Sequence, residues 1–276
     1  MEKKIIKVSA DSDVVSILNN IGVSYSYACK LLRNKDVRIN GERIKENQSV
    51  FFGDEVTVFL SEQIQSPEQR LKESIKYEDE NIIVVNKPSG IEIEGKDGLA
   101  SKLKALPVHR LDRNTTGLVI LAKNKTSQEI LIDAIKNREI SKKYYAEVVG
   151  KAEFKNFVFN AFLVKNSKES LVKIFDKQVK GSVAISTIFN TVKSNPSSSI
   201  IECILLTGKT HQIRASLAYL GHSIIGDGKY GKNEDNKKFK EKKQKLHSYF
   251  IGFKNISSSL SYLSGKTFTE KPNWIK

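Results

Sequence analysis

The residues best suited to chemistry lie in one segment, 107–118, which reads PVHRLDRNTTGL. A lone carboxylate, Asp112, stands among two arginines, a histidine, an asparagine and two threonine hydroxyls, directly before an apolar strand-like run. A nearby guanidinium favours the charged form of a carboxylate, as a nucleophile or a base requires. On these residues alone the ordinary interpretation is a structural Asp–Arg pair that closes a turn, and a catalytic carboxylate is the alternative.

A second polar segment, 206–214 (LTGKTHQIR), leads into a predicted helix. Thr210, His211 and the free backbone amides of a helix start can hold an anion such as phosphate. A helix cap with ordinary surface side chains is the alternative. The helix itself, HQIRASLAYLG, is predicted to be amphipathic and to end at Gly221. A third, glycine-punctuated segment around Asp227 is a weak signal by itself.

Residues 1–60 are predicted to form a small unit of two short helices and a sheet. Asp13 is a candidate cap for the first helix, and Asn40-Gly41 is a strong signal for a tight hairpin. The aromatic side chains in the second half of this unit are assigned to its core: Phe51, Phe52 and Phe59.

The polar stretch 61–76 is interpreted as a linker, and 77–276 as a larger second domain. Strand-like segments predominate in that domain, while helices occur at irregular positions. This pattern favours an α+β fold, with a mixed and mostly antiparallel sheet and a central cleft, over regular α/β alternation.

The composition favours a polyanionic partner. Among 276 residues, 46 Lys and Arg against 31 Asp and Glu give a net charge of +15, and the excess lies beyond residue 100. Nucleic acid is the first candidate for such a surface, and a charge tuned only for solubility is the alternative.

Several classes of protein are excluded by what the sequence lacks. Cys29 and Cys203 are too far apart in sequence to suggest a disulfide framework or a thiolate metal cluster, and the four histidines lack ligand spacing. The segment MEKKIIKVSADSD has no long apolar run, so we expect neither a secretory signal nor a membrane anchor. The predicted location is the cytoplasm.

Two sets of motifs carry a resemblance to known families. The first set is similar, in order and spacing, to RluA-type pseudouridine synthases: KPSGIEI, HRLDRNTTGLVILAKN, KKYYAEVVG, LLTGKTHQIRASLAYLGHSIIGDGKYG and KLHSYFIGF. The second set, YACKLLRNKDVRINGERI and GDEVTVFL, resembles the alpha-L RNA-binding domain first described in a ribosomal small-subunit protein. Together they span roughly residues 1–255. The combination of HRLDxxTxGL with TGxxHQIR is the more specific signal, because the alpha-L domain is attached to several kinds of protein.

The resemblance assigns roles to individual residues. The family's catalytic aspartate corresponds to Asp112, its basic partner to Arg214, and its active-site tyrosine to Tyr144. Tyr145 is an alternative for the tyrosine, and since neighbouring side chains on a strand point to opposite faces, one of the two faces the site. Arg110 matches the arginine that fills the space left by a flipped nucleotide.

Further residues are expected to contact the RNA. In the second domain these are His109, Lys209 and His211. Lys209 stands where the family usually has arginine, which keeps the charge but loses the planar two-pronged donor. In the N-terminal domain the candidates lie on or near the second helix, for which a solvated helix face is the alternative: Tyr27, Lys30, Arg33 and Arg38.

The chemistry implied by the resemblance is an isomerisation. The bond between ribose C1′ and uracil N1 breaks, the base turns, and C5 joins C1′, so that no ATP, redox cofactor or metal is required. Asp112 either attacks C1′ or removes the proton at C2′, and Tyr144 stacks beneath the base and serves in proton transfer at C5. A uridine in folded RNA must first be flipped out, at a cost of a few kcal/mol.

The expected partner is RNA, with large-subunit ribosomal RNA favoured and transfer RNA as an alternative, and the chain is expected to act as a monomer without a membrane. Two other functions compete with this one. One is a catalytically silent RNA-binding or ribosome-assembly protein on the same scaffold. The other is a hydrolase using Asp112 and His109, which is weaker because glycoside cleavage normally needs a second carboxylate.

Overall fold

The computed structural model describes residues 2–60, 71–166, 170–256 and 258–275, and it divides into two compact units, 1–73 and 74–276. Most of the predicted linker, residues 61–70, lies outside the described residues. The first strand of the second unit begins at Ile75, so residues 75 and 76 belong to a sheet and not to the linker. The sequence missed this start because the strand lies at the sheet edge and only alternate residues are half-buried.

The first unit contains the two predicted helices and the small sheet. The sheet has the order β1-β6-β3-β4, and β2 pairs with β5. The elements are β1 (Glu2–Lys7), β2 (Ser12–Asp13), α1 (Val14–Asn20), α2 (Tyr25–Arg33), β3 (Val37–Ile39), β4 (Glu42–Ile44), β5 (Ser49–Val50) and β6 (Glu55–Leu60). The sequence did not predict β1, in which lysines outnumber the apolar residues.

Local signals account for these boundaries. Asp13 caps α1 as predicted, because its carboxylate accepts a hydrogen bond from the backbone N–H of Ser16 at 3.0 Å. Asn40 and Gly41 both have positive φ, +48° and +89°, which is the backbone of a type I′ turn between β3 and β4. The predicted hairpin is therefore confirmed.

The assignment of Phe51 and Phe52 to the core is wrong. Their side chains are 61% and 77% exposed. Both residues follow β5 in a loop, where the carboxylates of Asp54 and Asp11 accept hydrogen bonds from their backbone N–H groups at 2.8 and 3.0 Å. This loop directs the two rings away from the core, whereas Phe59, on β6, is half-buried.

Among the described residues of the second unit, eleven strands form one mixed sheet, which confirms the α+β class. Its order is β13-β12-β14-β15-β11-β16-β10-β8-β7, with β17 beside β16 and β9 beside β10; β10 and β16 run parallel. The strands are β7 (Ile75–Glu78), β8 (Ile82–Lys87), β9 (Leu106–Pro107), β10 (Thr116–Ala122), β11 (Ile140–Val149), β12 (Phe157–Asn166), β13 (Leu171–Phe175), β14 (Val183–Ser194), β15 (Ser198–Leu205), β16 (Leu246–Phe253) and β17 (Thr267–Thr269). The helices are α3 (Leu99–Lys102), α4 (Lys125–Lys136), α5 (Gln212–Tyr219) and α6 (Asn233–Lys238), with a 3₁₀ helix at Ser258–Leu263.

Gly117 explains how the segment 107–118 meets the centre of this sheet. It has φ +106°, and a Cβ atom there would lie 2.3 Å from the backbone oxygen of Ser248 on β16. Only glycine permits so close an approach of β10 and β16. Asp112, five residues earlier, is thereby held close to the middle of the sheet.

Helix α5 ends before Gly221, as predicted, but it is not amphipathic. Its first six residues, 212–217, are all buried. The polar members of this set are paired inside the protein: the amide of Gln212, for example, donates to the hydroxyl of Thr187 at 2.9 Å. The prediction of an amphipathic helix is therefore wrong, because polar side chains of α5 such as Gln212 find their partners on distant elements.

No helix in the described ranges combines the length and the apolar composition needed to cross a membrane.

Candidate active site

A cavity of about 620 Å³ opens in the second unit, between the loop before β10, strand β11 and the start of α5. Its wall contains every residue that the sequence assigned to the site in this domain: His109, Arg110, Asp112, Tyr144, Lys209, His211 and Arg214. These residues come from three segments separated by up to 105 positions in the sequence, and the fold brings them together.

Asp112 and Arg214 form the central pair of the cavity. Nη1 of Arg214 donates to a carboxylate oxygen of Asp112 at 2.8 Å, and the two side chains are 7% (Arg214) and 17% (Asp112) exposed. A charge-assisted hydrogen bond of this kind is short and strong, and it fixes the direction of the carboxylate. The carboxyl group therefore faces the cavity and not the interior.

A second carboxylate holds Arg214 in place. Asp227 is fully buried and accepts from Nε and Nη2 of the guanidinium at 2.7 and 2.9 Å. It also accepts from the backbone N–H groups of Lys229 and Tyr230. Burial is the largest single influence on the pKa of Asp227 and raises it. The hydrogen bonds and the charge of Arg214 together outweigh burial, so the pKa lies below its ordinary value. Asp227 therefore stays charged, and it aims the remaining nitrogen of Arg214 at Asp112.

His211 lies beside this pair in a left-handed backbone conformation, with φ +54°. Its Nε2 is 3.7 Å from the Asp112 carboxylate, and its Nδ1 lies 2.9 Å from the hydroxyl of Tyr230. The oxygen of Tyr230 accepts a hydrogen bond from the backbone N–H of Val172, which leaves its proton free for Nδ1. Burial is the main cause that lowers the pKa of His211, so a neutral ring faces Asp112.

Lys87 ties the loop after β8 to the loop that carries Asp112. It is fully buried, and its ammonium donates to the backbone oxygens of Pro88, Ile91 and Arg113 at 2.8 to 2.9 Å. Burial lowers the pKa of Lys87 to about 8, and the negative charge of Asp112 opposes this shift. The backbone next to Asp112 is thus anchored by a buried cation.

Of the two neighbouring tyrosines on β11, Tyr144 lines the cavity. Tyr145 points to the other side of the strand, where its ring stacks on Tyr249 with centroids 3.9 Å apart. Burial raises the pKa of Tyr144 well above its ordinary value, so its hydroxyl is protonated at neutral pH. Because neighbouring side chains point to opposite faces of a strand, only one of the two tyrosines can line the cavity, and that residue is Tyr144.

The residues expected to contact RNA differ in exposure. Arg110 and Lys209 are exposed on the cavity wall, as a substrate contact requires. His109 is less available to a substrate, because its Nε2 already accepts a hydrogen bond from the backbone N–H of Ile120 on β10 at 3.1 Å. Its ring is therefore part of the wall of the cavity.

The candidates in the first unit differ in how far their side chains are committed to packing within that unit. Lys30 and Arg33 are exposed on α2, with the ammonium of Lys30 5.9 Å from the centre of the Tyr27 ring. Arg38 is half-buried and lies over the ring of Phe59 at 5.3 Å. Lys30 and Arg33 thus present their charge to solvent, whereas Tyr27 and Arg38 are partly committed to packing.

Three residues of the site were missed by sequence reasoning. Asp227 lay in the segment judged weak, and its pairing with Arg214 depends on the fold. Lys87 opens the motif KPSGIEI, but its burial has no local signal. Lys142, which also lines the cavity, stands in the run KKYYAEVVG next to another lysine.

In the part of the chain that the structure describes, no three His, Cys, Asp or Glu residues lie close enough together to hold a metal ion. The expectation of a reaction without metal or cofactor stays a prediction from the family resemblance.

The fold defines the class of protein to which the chain belongs. It superposes on the solved structure titled Human RNA Pseudouridylate Synthase Domain Containing 1 with a TM-score of 0.62 at 23% identity, covering 72% of this chain and 83% of that one. The match establishes the fold of a pseudouridylate synthase domain.

The sequence comparisons give the family. The model described as RNA pseudouridylate synthase matches residues 81–219. The Ribosomal large subunit pseudouridine synthase C of Escherichia coli (strain K12) is 31% identical over 275 residues, covering 90% of this chain and 86% of that protein. Its counterpart in Vibrio cholerae serotype O1 is 32% identical over 238 residues, covering 78% and 74%. The chain belongs to the RNA pseudouridine synthase family, in the RluA group, and is an isomerase.

Proposed function

We propose that this enzyme isomerises specific uridines of large-subunit ribosomal RNA to pseudouridine, with Asp112 as its catalytic carboxylate. The observation that carries the proposal is the 2.8 Å hydrogen bond from Arg214 to Asp112 inside the cavity. The choice of RNA is supported by the relatives, which are named for the large ribosomal subunit. An intact pair of this kind also argues against the silent RNA-binding alternative, because a decayed site is not expected to retain it.

Asp112 would act on the ribose of a uridine flipped into the cavity. As a nucleophile it bonds to C1′ while N1 of uracil leaves; as a base it removes the C2′ proton. Both routes need an oriented carboxylate, which the hydrogen bond from Arg214 provides. After the base turns, C5 bonds to C1′: in the first route the bond between Asp112 and C1′ breaks, and in the second C2′ takes its proton back. The proton on C5 is then lost, and N1 takes up a proton.

Tyr144 would hold the detached uracil. Its ring offers a flat apolar surface against which the base can stack. Its hydroxyl enters the reaction protonated, since burial raises its pKa. Tyr144 is therefore suited to a proton relay at C5 that begins when another group accepts its proton.

The rest of the cavity wall is suited to RNA. Asp112 is its one carboxylate among the described residues, and it is already paired, whereas six further cations line the same wall: Arg110, Lys136, Arg138, Lys142, Lys209 and Lys254. Arg110 is placed to enter the gap left by the flipped uridine and so offsets part of the unstacking cost.

The first unit would add affinity that depends little on sequence. Its resemblance to the alpha-L RNA-binding domain and the exposed Lys30 and Arg33 on α2 support this role. We propose that the enzyme acts in the cytoplasm as a monomer.

Mapping of pseudouridines in total RNA tests the substrate. In cells that lack this protein, one or more pseudouridines of large-subunit ribosomal RNA should be absent. The wild-type gene should restore them, as should a matched control, Asp176→Asn, which changes an exposed carboxylate outside the cavity. Asp112→Asn should not restore them. Loss confined to transfer RNA would move the substrate there, and an unchanged map would reject the proposal.

A further inference from the structure

Lys142 is a cavity residue for which the reaction scheme above has no use. It precedes Tyr144 by two positions on β11, so the two side chains share one face of the strand, and both line the cavity. The side chain is half-buried. Lys142 therefore presents a cation to the same space as Tyr144.

This cation has no partner among the residues that the structure describes. Among the residues that the structure describes, no carboxylate lies within ion-pair distance of Lys142, and no hydrogen-bond acceptor meets its ammonium. Burial lowers the pKa of Lys142 to about 8. Lys87 has a pKa lowered to the same value, but three backbone oxygens compensate its charge. Because the side chain is half-buried, solvent compensates this charge only in part, and an anion that enters the cavity can pair with it.

A second unused donor accompanies Lys142. Because Nε2 of His109 accepts the N–H of Ile120, a neutral His109 ring carries its proton on Nδ1. That nitrogen is buried, and no hydrogen bond of normal geometry reaches it in the described structure, although the backbone of Arg110 lies near enough to raise the pKa of the ring. Burial, and then the charge of Lys142, hold the pKa of His109 well below its ordinary value, and both side chains line the same cavity.

The surroundings indicate what kind of ligand fits these donors. Asp112 is engaged by Arg214, so it does not compensate Lys142. The same cavity wall carries three exposed cations, Lys136, Arg138 and Lys254, of which Lys136 is also paired with Asp133. Several cations on one wall suit the phosphates of an RNA strand, whereas a neutral uracil carbonyl would leave the charge of Lys142 uncompensated.

We propose that Lys142, assisted by the Nδ1–H of His109, is an anion site that binds a backbone phosphate next to the reacting uridine. The RNA strand then leaves the cavity past Lys136, Arg138 and Lys254. This inference rests on the proposed function, since it places the phosphate relative to a uridine held at Asp112 and Tyr144.

The test is the affinity of the full chain for a labelled 20-nucleotide single-stranded RNA, measured by fluorescence anisotropy at several KCl concentrations. Lys142→Met should raise Kd about ten-fold, the loss of one charge-assisted hydrogen bond. The slope of log K against log salt should become less negative by about 0.7, one phosphate contact on a single strand. Lys193→Met, which removes an exposed lysine outside the cavity, is the matched control and should change neither quantity.

Two further measurements exclude a structural role. Lys142→Met should leave Tm equal to or above that of the wild type, because it removes an uncompensated charge. Lys142→Arg, which keeps the charge, should bind within about three-fold of the wild type. If Lys142→Met has the Kd and the salt slope of the wild type, the phosphate site is wrong. It is also wrong if Lys142→Met and Lys142→Arg weaken RNA binding equally. Release of tritium from ribosomal RNA labelled at uracil C5, measured in parallel, judges the proposed function separately, because Kd does not depend on turnover.

Discussion

Arg214 donates a 2.8 Å hydrogen bond to Asp112 across 102 positions of the sequence. The other two donor nitrogens that the guanidinium uses are both bound to Asp227. Asp227 does not line the cavity, but it holds the guanidinium that orients the carboxylate of Asp112. The geometry of the proposed catalytic pair therefore depends on a residue that does not line the cavity.

Asp227→Asn should therefore damage both stability and turnover. The amide keeps the shape but removes the buried charge that pairs with Arg214, so the free energy of unfolding in urea should fall by about 3 kcal/mol. The kcat for tritium release should fall roughly ten-fold or more, while KM stays near that of the wild type, because RNA contacts are untouched. A variant that unfolds earlier yet turns over normally would show that Asp227 does not orient the site.

Tyr144 and Tyr145 offer a matched pair of adjacent substitutions. Tyr144→Phe removes the hydroxyl that faces the cavity and should lower kcat by roughly a hundred-fold, within the usual range for proton-transfer groups. Tyr145→Phe alters a ring stacked on Tyr249 outside the cavity and should leave kcat within about three-fold. Steady-state tritium release on one RNA distinguishes them, and equal effects would remove Tyr144 from the proposed mechanism.

The sequence was informative wherever a signal was local. The cap at Asp13 and the Asn40-Gly41 turn depend on neighbouring residues, and the structure agrees with both. The pairing of Asp112 with Arg214 was implied by the family resemblance, and the structure brings these two side chains together. The role of Asp227 had no such signal, because its meaning comes from a partner on another element. The same holds for the burial of Lys87.

Lys87→Met should destabilise the loops around Asp112. The substitution removes a fully buried ammonium and leaves three backbone oxygens without the donor that they share, so we expect a loss of about 2–4 kcal/mol in the free energy of unfolding. Tritium release should fall as well, since one of those oxygens belongs to Arg113, next to Asp112. Urea unfolding of Lys87→Met beside Lys193→Met, a surface control, measures the difference; equal stabilities would contradict the anchoring role.

His247 makes stability depend on pH in a direction that the structure specifies. Its ring nitrogens lie 2.7 Å from the Thr116 hydroxyl and 2.9 Å from the backbone oxygen of Glu270, and burial holds its pKa below the ordinary 6.5. The unfolded chain then binds a proton near pH 6.5 that the folded chain does not. The free energy of unfolding should therefore fall with decreasing pH below about 6.5, by up to about 1.4 kcal/mol per pH unit from this group.

The check is urea unfolding between about pH 7 and pH 5 for the wild type and for His247→Gln. The variant lacks the titrating ring, so its stability should decline less steeply on acidification. Parallel profiles would show that His247 titrates alike in the folded and unfolded chains. His109 and His211, whose pKa values are also lowered, should sustain the remaining decline.

The errors of sequence reasoning have physical causes as well. Phe51 and Phe52 are apolar, but two aspartates fix their backbone in a loop that directs the rings outward. Helix α5 was predicted to be amphipathic, yet its first six residues are all buried, because polar side chains such as that of Gln212 find partners inside the protein. Hydropathy depends only on a side chain and its neighbours in the sequence. In these cases burial or exposure depends on hydrogen bonds to residues that are distant in the sequence.

Tritium release from ribosomal RNA labelled at uracil C5 tests the role of Asp112 most directly. The wild type should release tritium with turnover, and Asp112→Asn, which keeps the shape of the side chain without its charge, should release none above background while still binding the RNA. The control Asp176→Asn should match the wild type. Release at the wild-type rate from Asp112→Asn would contradict the assignment of this carboxylate as the catalytic group.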